Sequence, residues 1–216
     1  ACGLNFMVTG APYWTFDIGA FFTKSDGITY FNRTAAYPNG VADLGFREIY
    51  IRWFQLGTFA PVMRTHGMDT PREPWQFGQP GTPFYDCIAD YLKLRYRMLP
   101  YIYSIAGWTV LDDYTMFRYL AFDFRDDPAV YNIKDQYMFG PAFLVAPVLK
   151  PMYYDVNSVK LEGAEKTRKL YLPKNTPWCD FWTGKLYTPG RTISVDAPLN
   201  RIPLLVKAGS IIPLGP

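Results

Sequence analysis

The chain has 216 residues and a formal net charge of +3, and 18% of its residues are aromatic. A charge this small and dispersed does not indicate a nucleic-acid-binding protein, and no apolar run is long enough to span a bilayer. Three distant cysteines and a single histidine provide neither a disulfide framework nor a zinc-ligand spacing, so we expect no metal and no other cofactor. The aromatic content fits a large aromatic core or a protein that stacks sugars on its side chains.

The chain opens with a pattern that predicts a strand, a loop and a helix in succession. Residues 4–9 form a short apolar run that predicts a buried strand. Residues 10–46 are rich in Gly, Pro and aromatic residues and predict a long loop. Apolar residues at helical spacing then predict a helix over 47–58.

The same order of elements follows a second time. Residues 59–63 predict another short strand, and an irregular stretch leads to the strongest helical pattern, over 83–106. Pro83 suits the first turn of that helix, whereas Pro100 should kink or divide it. Two strand–loop–helix units in succession predict an α/β architecture with a parallel sheet.

The second half of the chain carries a different pattern, in which short β-like runs alternate with Gly and Pro turn signals. This spacing predicts an all-β sandwich. The runs cover residues 142–149, 168–172, 178–182, 192–195, 202–206 and 210–213.

Two polar residues lie on the loops that follow the two predicted strands, where parallel α/β folds place their reactive groups. Asp17 stands among aromatic residues that include Trp14 and Phe16, and its carboxylate could bind sugar hydroxyls, cap a helix or close a turn. His66 is the only histidine of the chain and suits either a site or a structural role. We expect Arg64, which precedes it, to pair with a carboxylate inside the fold.

A third stretch, TPREPWQFG over residues 70–78, places further candidates beside the histidine. A sugar could stack on Trp75 while Arg72 binds its hydroxyls. Alternatively, Arg72 and Glu73 pair with each other in a structured loop. The sequence contains no Gly-x-Ser-x-Gly nucleophile motif and no phosphate-binding loop.

Seven segments together resemble glycoside hydrolase family 31, and they occur in the family's order and spacing. They are PYWTFDIGAFF, WFQLGTFAPVMRTHG, TPREPWQFG, LRYRMLPYIYS, QYMFGPAFLVAPVL, LYLP…WCDFWTG and IPLLVKAGSIIP. The match covers nearly the whole chain. One departure is Ala20, which stands where the family usually has a second glycine.

The resemblance implies a fold class of α/β plus all-β. Residues 1–134 would be the C-terminal portion of a catalytic (β/α)8 TIM barrel, with strands seven and eight at 4–9 and 59–63. Residues 135–216 would form a proximal C-terminal β-sandwich domain. Two barrel strands leave open strand edges. We therefore expect residues 1–134 either to pack poorly alone or to associate through these edges.

The resemblance also implies a function. Family members are retaining exo-acting α-glycosidases, mostly α-glucosidases and α-xylosidases, whose nucleophile and acid/base follow strands four and six. Both strands would precede residue 1, so this chain is expected to supply part of the −1 subsite, to contain no catalytic residue and to be inactive alone. The substrate-binding candidates are Asp17, His66, Trp14, Phe16, Arg72 and Trp75.

The expected partner is an oligosaccharide, and neither nucleic acid nor a membrane is expected. An exported parent protein and a cytoplasmic one both fit the sequence. Two other classes of function stay open: a stand-alone carbohydrate-binding module, which the aromatic content and the β-rich second half favour, and a non-catalytic interaction domain.

Overall fold

Helices dominate the first half of the chain and short antiparallel strands the second, in a computed structural model that describes residues 2–24 and 36–216. The predicted loop over 10–46 includes residues 25–35, which lie outside the described residues. No helix among those described is both long and apolar enough to cross a bilayer. The helices are α1 (Cys2–Val8), α2 (Leu44–Thr58), α3 (Pro83–Arg97), α4 (Leu99–Asp112) and α5 (Leu120–Asp123), with 3-10 turns at Gly40–Ala42, Pro74–Phe77, Pro128–Val130 and Val156–Ser158.

The predicted helices over 47–58 and 83–106 are confirmed. Asp43 caps α2, because its carboxylate accepts a hydrogen bond of 2.8 Å from the N–H of Gly45. The second helical region divides at Met98 into α3 and α4, as Pro100 in the first turn of α4 predicts. It runs beyond residue 106 and ends at Asp113, whose φ of 53° is left-handed.

The second half contains the predicted sandwich of antiparallel strands. A six-stranded sheet has the order β1-β2-β3-β10-β7-β8, and the pair β6–β9 lies on one of its faces. A further pair, β4–β5, stands apart from both. The strands are β1 (Phe117–Arg118), β2 (Tyr137–Phe139), β3 (Phe143–Val145), β4 (Tyr154–Asp155), β5 (Val159–Lys160), β6 (Thr167–Leu172), β7 (Trp178–Asp180), β8 (Leu186–Tyr187), β9 (Arg191–Asp196) and β10 (Leu204–Lys207).

The six-stranded sheet is buried on both faces, which explains why its central strands are continuous apolar runs. In β2, Tyr137 and Phe139 join the core formed with the helices, while Met138 points to the opposite face. That opposite face packs against Leu170 and Leu172 of β6. The sheet therefore joins the helical half to the outer pair of strands.

The predicted strand over 4–9 is wrong, because this segment forms helix α1. A strand needs a hydrogen-bonded neighbour for its backbone N–H and C=O groups, and no strand of the described chain pairs with this segment. A helix satisfies those groups within the segment, and it still buries Leu4 and Met7 against the core. The predicted run over 210–213 also forms no strand; Gly215 beyond it donates its N–H to the carbonyl of Arg97 at 2.7 Å.

The predicted strand over 59–63 is wrong as well, because the chain leaves α2 through a series of turns. Its free carbonyls bind Arg95 of α3, whose guanidinium donates to Thr58, Ala60 and Pro61 at 2.7–3.0 Å. Arginine here replaces the neighbouring strand that these carbonyls lack. The predicted association through open barrel edges consequently has no strand at 4–9 or 59–63 to use.

Gly140, directly after β2, offers a test of how tightly the helices pack on the sheet. Its φ is +61°, and an added Cβ would lie 2.3 Å from the Oη of Tyr101. That hydroxyl donates to the carbonyl of Phe139 at 2.8 Å. We expect Gly140→Ala to lower the free energy of unfolding by about 3 kcal/mol, since a left-handed backbone conformation and an overpacked contact both cost free energy.

The matched control is Gly184→Ala, because Gly184 has a similar φ of +73° and nothing within 4 Å of its added Cβ. It should lose only about 1–2 kcal/mol. Urea unfolding of both variants measures the difference. Equal losses would show that Tyr101 moves aside without cost.

Candidate functional site

Two loops run side by side where the sequence predicts the site, one after α1 and one after α2. Ile18 and Thr65 form an isolated parallel bridge, and the N–H of Ile18 lies 3.4 Å from the carbonyl of Arg64. Further along, the N–H of Met68 donates to the carbonyl of Phe21 at 3.0 Å. The segments that hold Asp17 and His66 are therefore joined by backbone contacts, as neighbouring strand ends would be.

Helix α2 packs against the first loop through residues on both sides of Asp17. Ile18 is fully buried, and Gly57 of α2 leaves room for it, since an added Cβ would lie 2.5 Å from the Cδ1 of Ile18. The ring of Phe16 stacks on Trp53 of α2, with ring centroids 6.1 Å apart. The residues on both sides of Asp17 are thereby fixed to one helix.

Asp17 pairs with Arg64, which confirms the expectation that Arg64 pairs with a carboxylate. The Nε of Arg64 lies 3.2 Å from Oδ1 of Asp17, and Nη2 makes a still shorter contact with the same oxygen. The Asp17 side chain is 24% exposed, and its Oδ2 accepts no hydrogen bond from the described part of the chain. An ionised carboxylate accepts hydrogen bonds only, so Oδ2 suits a hydroxyl donor.

His66 is exposed and lies beside Phe21, with ring centroids 5.3 Å apart. It lines a cavity of about 650 Å³. Asp17 is not among the residues that line this cavity. The structure thus brings Asp17 and His66 onto adjoining loops, but it does not place both side chains in one cavity.

Arg72 lies inside the loops and is only 7% exposed, so its guanidinium is not presented to solvent. Its Nη2 lies 2.5 Å from the carbonyl of Ala20 and 3.3 Å from that of Gly19, and Nη1 donates to the carbonyl of Thr70. Burial lowers the pKa of Arg72. The Arg72 guanidinium therefore forms no ion pair with Glu73, whereas a role of Arg72 in sugar binding stays a prediction, since the residue lines the same cavity as His66.

The aromatic candidates divide into packed and exposed rings. Trp14 and Phe16 are partly buried and contact each other, with ring centroids 5.1 Å apart, and Trp14 also contacts Phe117 of β1. Trp75 in the 3-10 turn Pro74–Phe77 is 63% exposed. Of the predicted stacking surfaces, Trp75 is the one that the structure leaves open to a ligand.

Asp69 joins the loop after α2 to the loop after α1, a role that the sequence did not predict. Its carboxylate accepts hydrogen bonds from the N–H groups of Thr23 and Lys24 at 2.7–3.0 Å and from the Thr23 hydroxyl. Burial would raise the pKa of Asp69, but these N–H donors hold it below the ordinary value. Its sequence signal is weak, because its partners lie about 45 residues away.

Ala20 adopts the conformation that explains why the family usually has glycine at this position. Its φ is +63°, which costs a non-glycine residue about 1–2 kcal/mol. Its N–H donates to the carbonyl of Asp17 at 2.9 Å and closes a turn over Asp17–Ala20. The substitution by alanine thus leaves the turn in place with some strain.

Within the described residues, no three His, Cys, Asp or Glu side chains come together as metal ligands would.

Comparison with known proteins matches each half of the chain to a family model. Residues 1–105 match the model of the glycosyl hydrolases family 31 TIM-barrel domain, and residues 113–212 match that of the family 31 C-terminal domain. These matches confirm the predicted fold class, a barrel part followed by a β domain, although strands seven and eight are not formed in this structure.

Three similar proteins are α-xylosidases. That of Saccharolobus solfataricus is 41% identical over 98% of this chain, which spans 25% of that protein. The crystal structure of one from Xanthomonas citri is 44% identical with a TM-score of 0.83, over 99% of this chain and 21% of that protein. One from a soil metagenome, complexed with xylose, is 31% identical with a TM-score of 0.78, over 97% of this chain and 30% of that protein. The chain therefore spans less than a third of each.

Proposed function

The chain belongs to glycoside hydrolase family 31, and from this premise we propose that it is the C-terminal part of a retaining α-glycosidase. The observation that carries this proposal is the match of two successive family models to nearly the whole chain in their order. The enzyme would remove a terminal α-linked sugar from an oligosaccharide. Xylose is favoured over glucose, because the α-xylosidases of Saccharolobus solfataricus and Xanthomonas citri are 41% and 44% identical to this chain.

In this proposal Asp17 and His66 bind the sugar, and neither reacts with it. Asp17 contributes the free Oδ2 as an acceptor for a sugar hydroxyl, while Arg64 holds Oδ1. His66 contributes an exposed ring nitrogen on the adjoining loop. In the complete barrel, the cavity that His66 lines would have to extend to Asp17 for both residues to bind one sugar.

The reacting groups would be two carboxylates from the part of the barrel that precedes this chain. In a retaining glycosidase one carboxylate attacks the anomeric carbon while the other protonates the leaving oxygen and then activates water, across a separation of about 5–5.5 Å. The residues described above can bind and orient a sugar but cannot replace either step. We therefore propose that the 216-residue chain alone has no glycosidase activity.

The test is an assay of a longer protein that contains this chain, on p-nitrophenyl α-xyloside and α-glucoside. We expect a higher kcat/KM for the xyloside, and proton NMR at early times should show the α-anomer as first product. The 216-residue chain in the same assay serves as the control and should show no turnover. Failure of the folded longer protein to cleave either substrate, or a β-anomer as first product, would exclude the proposal.

Trp75 should act on substrate affinity. Because it is 63% exposed, it can stack on a sugar bound in both the ground state and the transition state. Trp75→Ala should raise KM by about 3- to 10-fold and change kcat little. Tyr103→Ala is the matched control, since Tyr103 on α4 is also exposed, at 82%. An unchanged KM in the Trp75 variant would assign that ring a structural role.

A further inference from the structure

The buried guanidinium of Arg72 has no carboxylate within ion-pair distance among residues 2–24 and 36–216. Desolvation of the cation is costly, and the charges of Asp69, Asp17 and Glu73 offset this cost only from beyond ion-pair distance. Its hydrogen bonds go to backbone carbonyls on both loops, those of Gly19 and Ala20 on one side and that of Thr70 on the other. Arg72 is thus one of the side chains that join the Asp17 loop to the loop after His66, together with Asp69.

Glycines next to Arg72 leave space for its side chain, and Tyr50 fixes its backbone. Gly67 leaves the space that the guanidinium fills, because an added Cβ would lie 2.2 Å from Nη2 of Arg72. Gly19 leaves room on the other side, mainly for the ring of Tyr50, which would lie 2.6 Å from an added Cβ, and also for Nε of Arg72 at 3.1 Å. Tyr50 of α2 fixes the backbone, since its hydroxyl donates to the carbonyl of Arg72 at 2.7 Å. Two glycines and a helix therefore hold one arginine in place.

Two of the carbonyls that Arg72 binds, those of Gly19 and Ala20, belong to the turn that orients Asp17. The turn opens with Asp17 and closes with Ala20, whose left-handed backbone is strained for alanine. Such a conformation persists only when its surroundings fix it, and the contact from Arg72 to the Ala20 carbonyl does so. Without that contact the turn can relax, and the Asp17 side chain would change direction with it.

We propose that Arg72 is a positioning residue, which holds the Asp17–Ala20 turn so that the free carboxylate oxygen of Asp17 faces the sugar. The proposal rests on the proposed function only for what Asp17 faces. In this role Arg72 acts through the turn, to whose carbonyls its guanidinium is bonded, although the residue also lines the cavity beside His66. Lysine cannot take its place, since a single ammonium cannot span carbonyls on two loops as a planar guanidinium does.

Hydrogen exchange on the 216-residue chain tests whether Arg72 holds the Asp17–Ala20 turn, and it needs no enzymatic activity. In Arg72→Lys, amides of the segment 17–22 should exchange at least about tenfold faster, while those of β6 and β9 keep their rates and report an intact fold. Arg47→Lys is the matched control, because Arg47 also binds backbone carbonyls, those of Val41 and Phe77. Unchanged exchange at 17–22 in Arg72→Lys would overturn the proposal.

Kinetics on the longer protein test the consequence for Asp17. Arg72→Lys should lower kcat/KM about tenfold, mainly through kcat, but less than twofold in the Asp17→Asn background. Equal losses in both backgrounds would mean that Arg72 acts independently of Asp17, and the proposal would then fail. If the longer protein cleaves no glycoside at all, the proposed function fails while the exchange experiment still decides the role of Arg72.

Discussion

Asp17→Asn in the longer protein should lower kcat/KM for the preferred α-glycoside by about 100-fold or more. The substitution keeps the shape of the side chain but removes the charge that strengthens a hydrogen bond to a hydroxyl in the transition state. It also replaces the Oδ1–Arg64 ion pair by a neutral contact, which frees the amide to turn. The loss should appear in kcat as well as KM, since the contact strengthens as the anomeric carbon becomes positive.

Asp90→Asn is a suitable control, because Asp90 on α3 is an exposed aspartate that also pairs with a cation, Lys93 at 3.8 Å. Its activity should equal that of the unmodified enzyme. His66→Ala should resemble Asp17→Asn in size, and the two losses should add less than fully if both residues bind the same sugar. Near-normal turnover of the Asp17 variant would remove this residue from the site.

The sequence predicts local structure well where short-range patterns decide it. The helix over 47–58 and the division near Pro100 follow from apolar spacing and from the missing N–H of proline, and both are confirmed. The segments 4–9 and 59–63 have the composition of strands, yet composition does not supply the neighbouring strands that their backbone requires. In this structure a helix and the side chain of Arg95 satisfy those groups instead.

The residues around the candidate site show a second limit of sequence patterns. The sequence motifs mark Asp17 and Arg72 alike as polar residues on loops. Only the fold distinguishes their exposure: Asp17 is partly open to solvent, whereas Arg72 is buried beneath a turn. That separation depends on the glycines at 19 and 67 and on a tyrosine from α2. Gly19 lies 53 residues before Arg72 and Tyr50 lies 22 residues before it, separations over which no local pattern extends.

A buried glutamate on α2 joins the helical half to the β domain, and the sequence gives no local sign of it. Glu48 is fully buried, and its carboxylate accepts hydrogen bonds of 2.8–2.9 Å from the N–H groups of Met152, Tyr153 and Tyr154. Arg52, one turn further along α2, lies 3.7 Å from the same carboxylate. The guanidinium of Arg52 in turn donates to carbonyls of the β domain, including that of Ala197 at 3.0 Å.

Glu48→Gln should lower the free energy of unfolding by about 3–5 kcal/mol, the cost typical of breaking a buried ion pair by removal of one charge. Whichever way the amide turns, its NH₂ faces a backbone N–H that needs an acceptor, because both oxygens of Glu48 are in use. Arg52 would also lose its only neighbouring anion among the described residues. Burial already lowers the pKa of Arg52, and the charge of Glu48 opposes that effect.

Equilibrium unfolding in urea measures this loss, which should lower the midpoint by about 1–2 M. Far-UV circular dichroism and tryptophan fluorescence should shift together, because α2 and the β domain share one core and should lose it together. Glu162→Gln is the matched control: Glu162 pairs with Lys160 at 2.8 Å on the surface, and its loss should leave the midpoint where it is. If Glu48→Gln also unfolds at the unmodified midpoint, the carboxylate cannot be what fastens α2 to the β domain, and the packing of apolar side chains alone must join them.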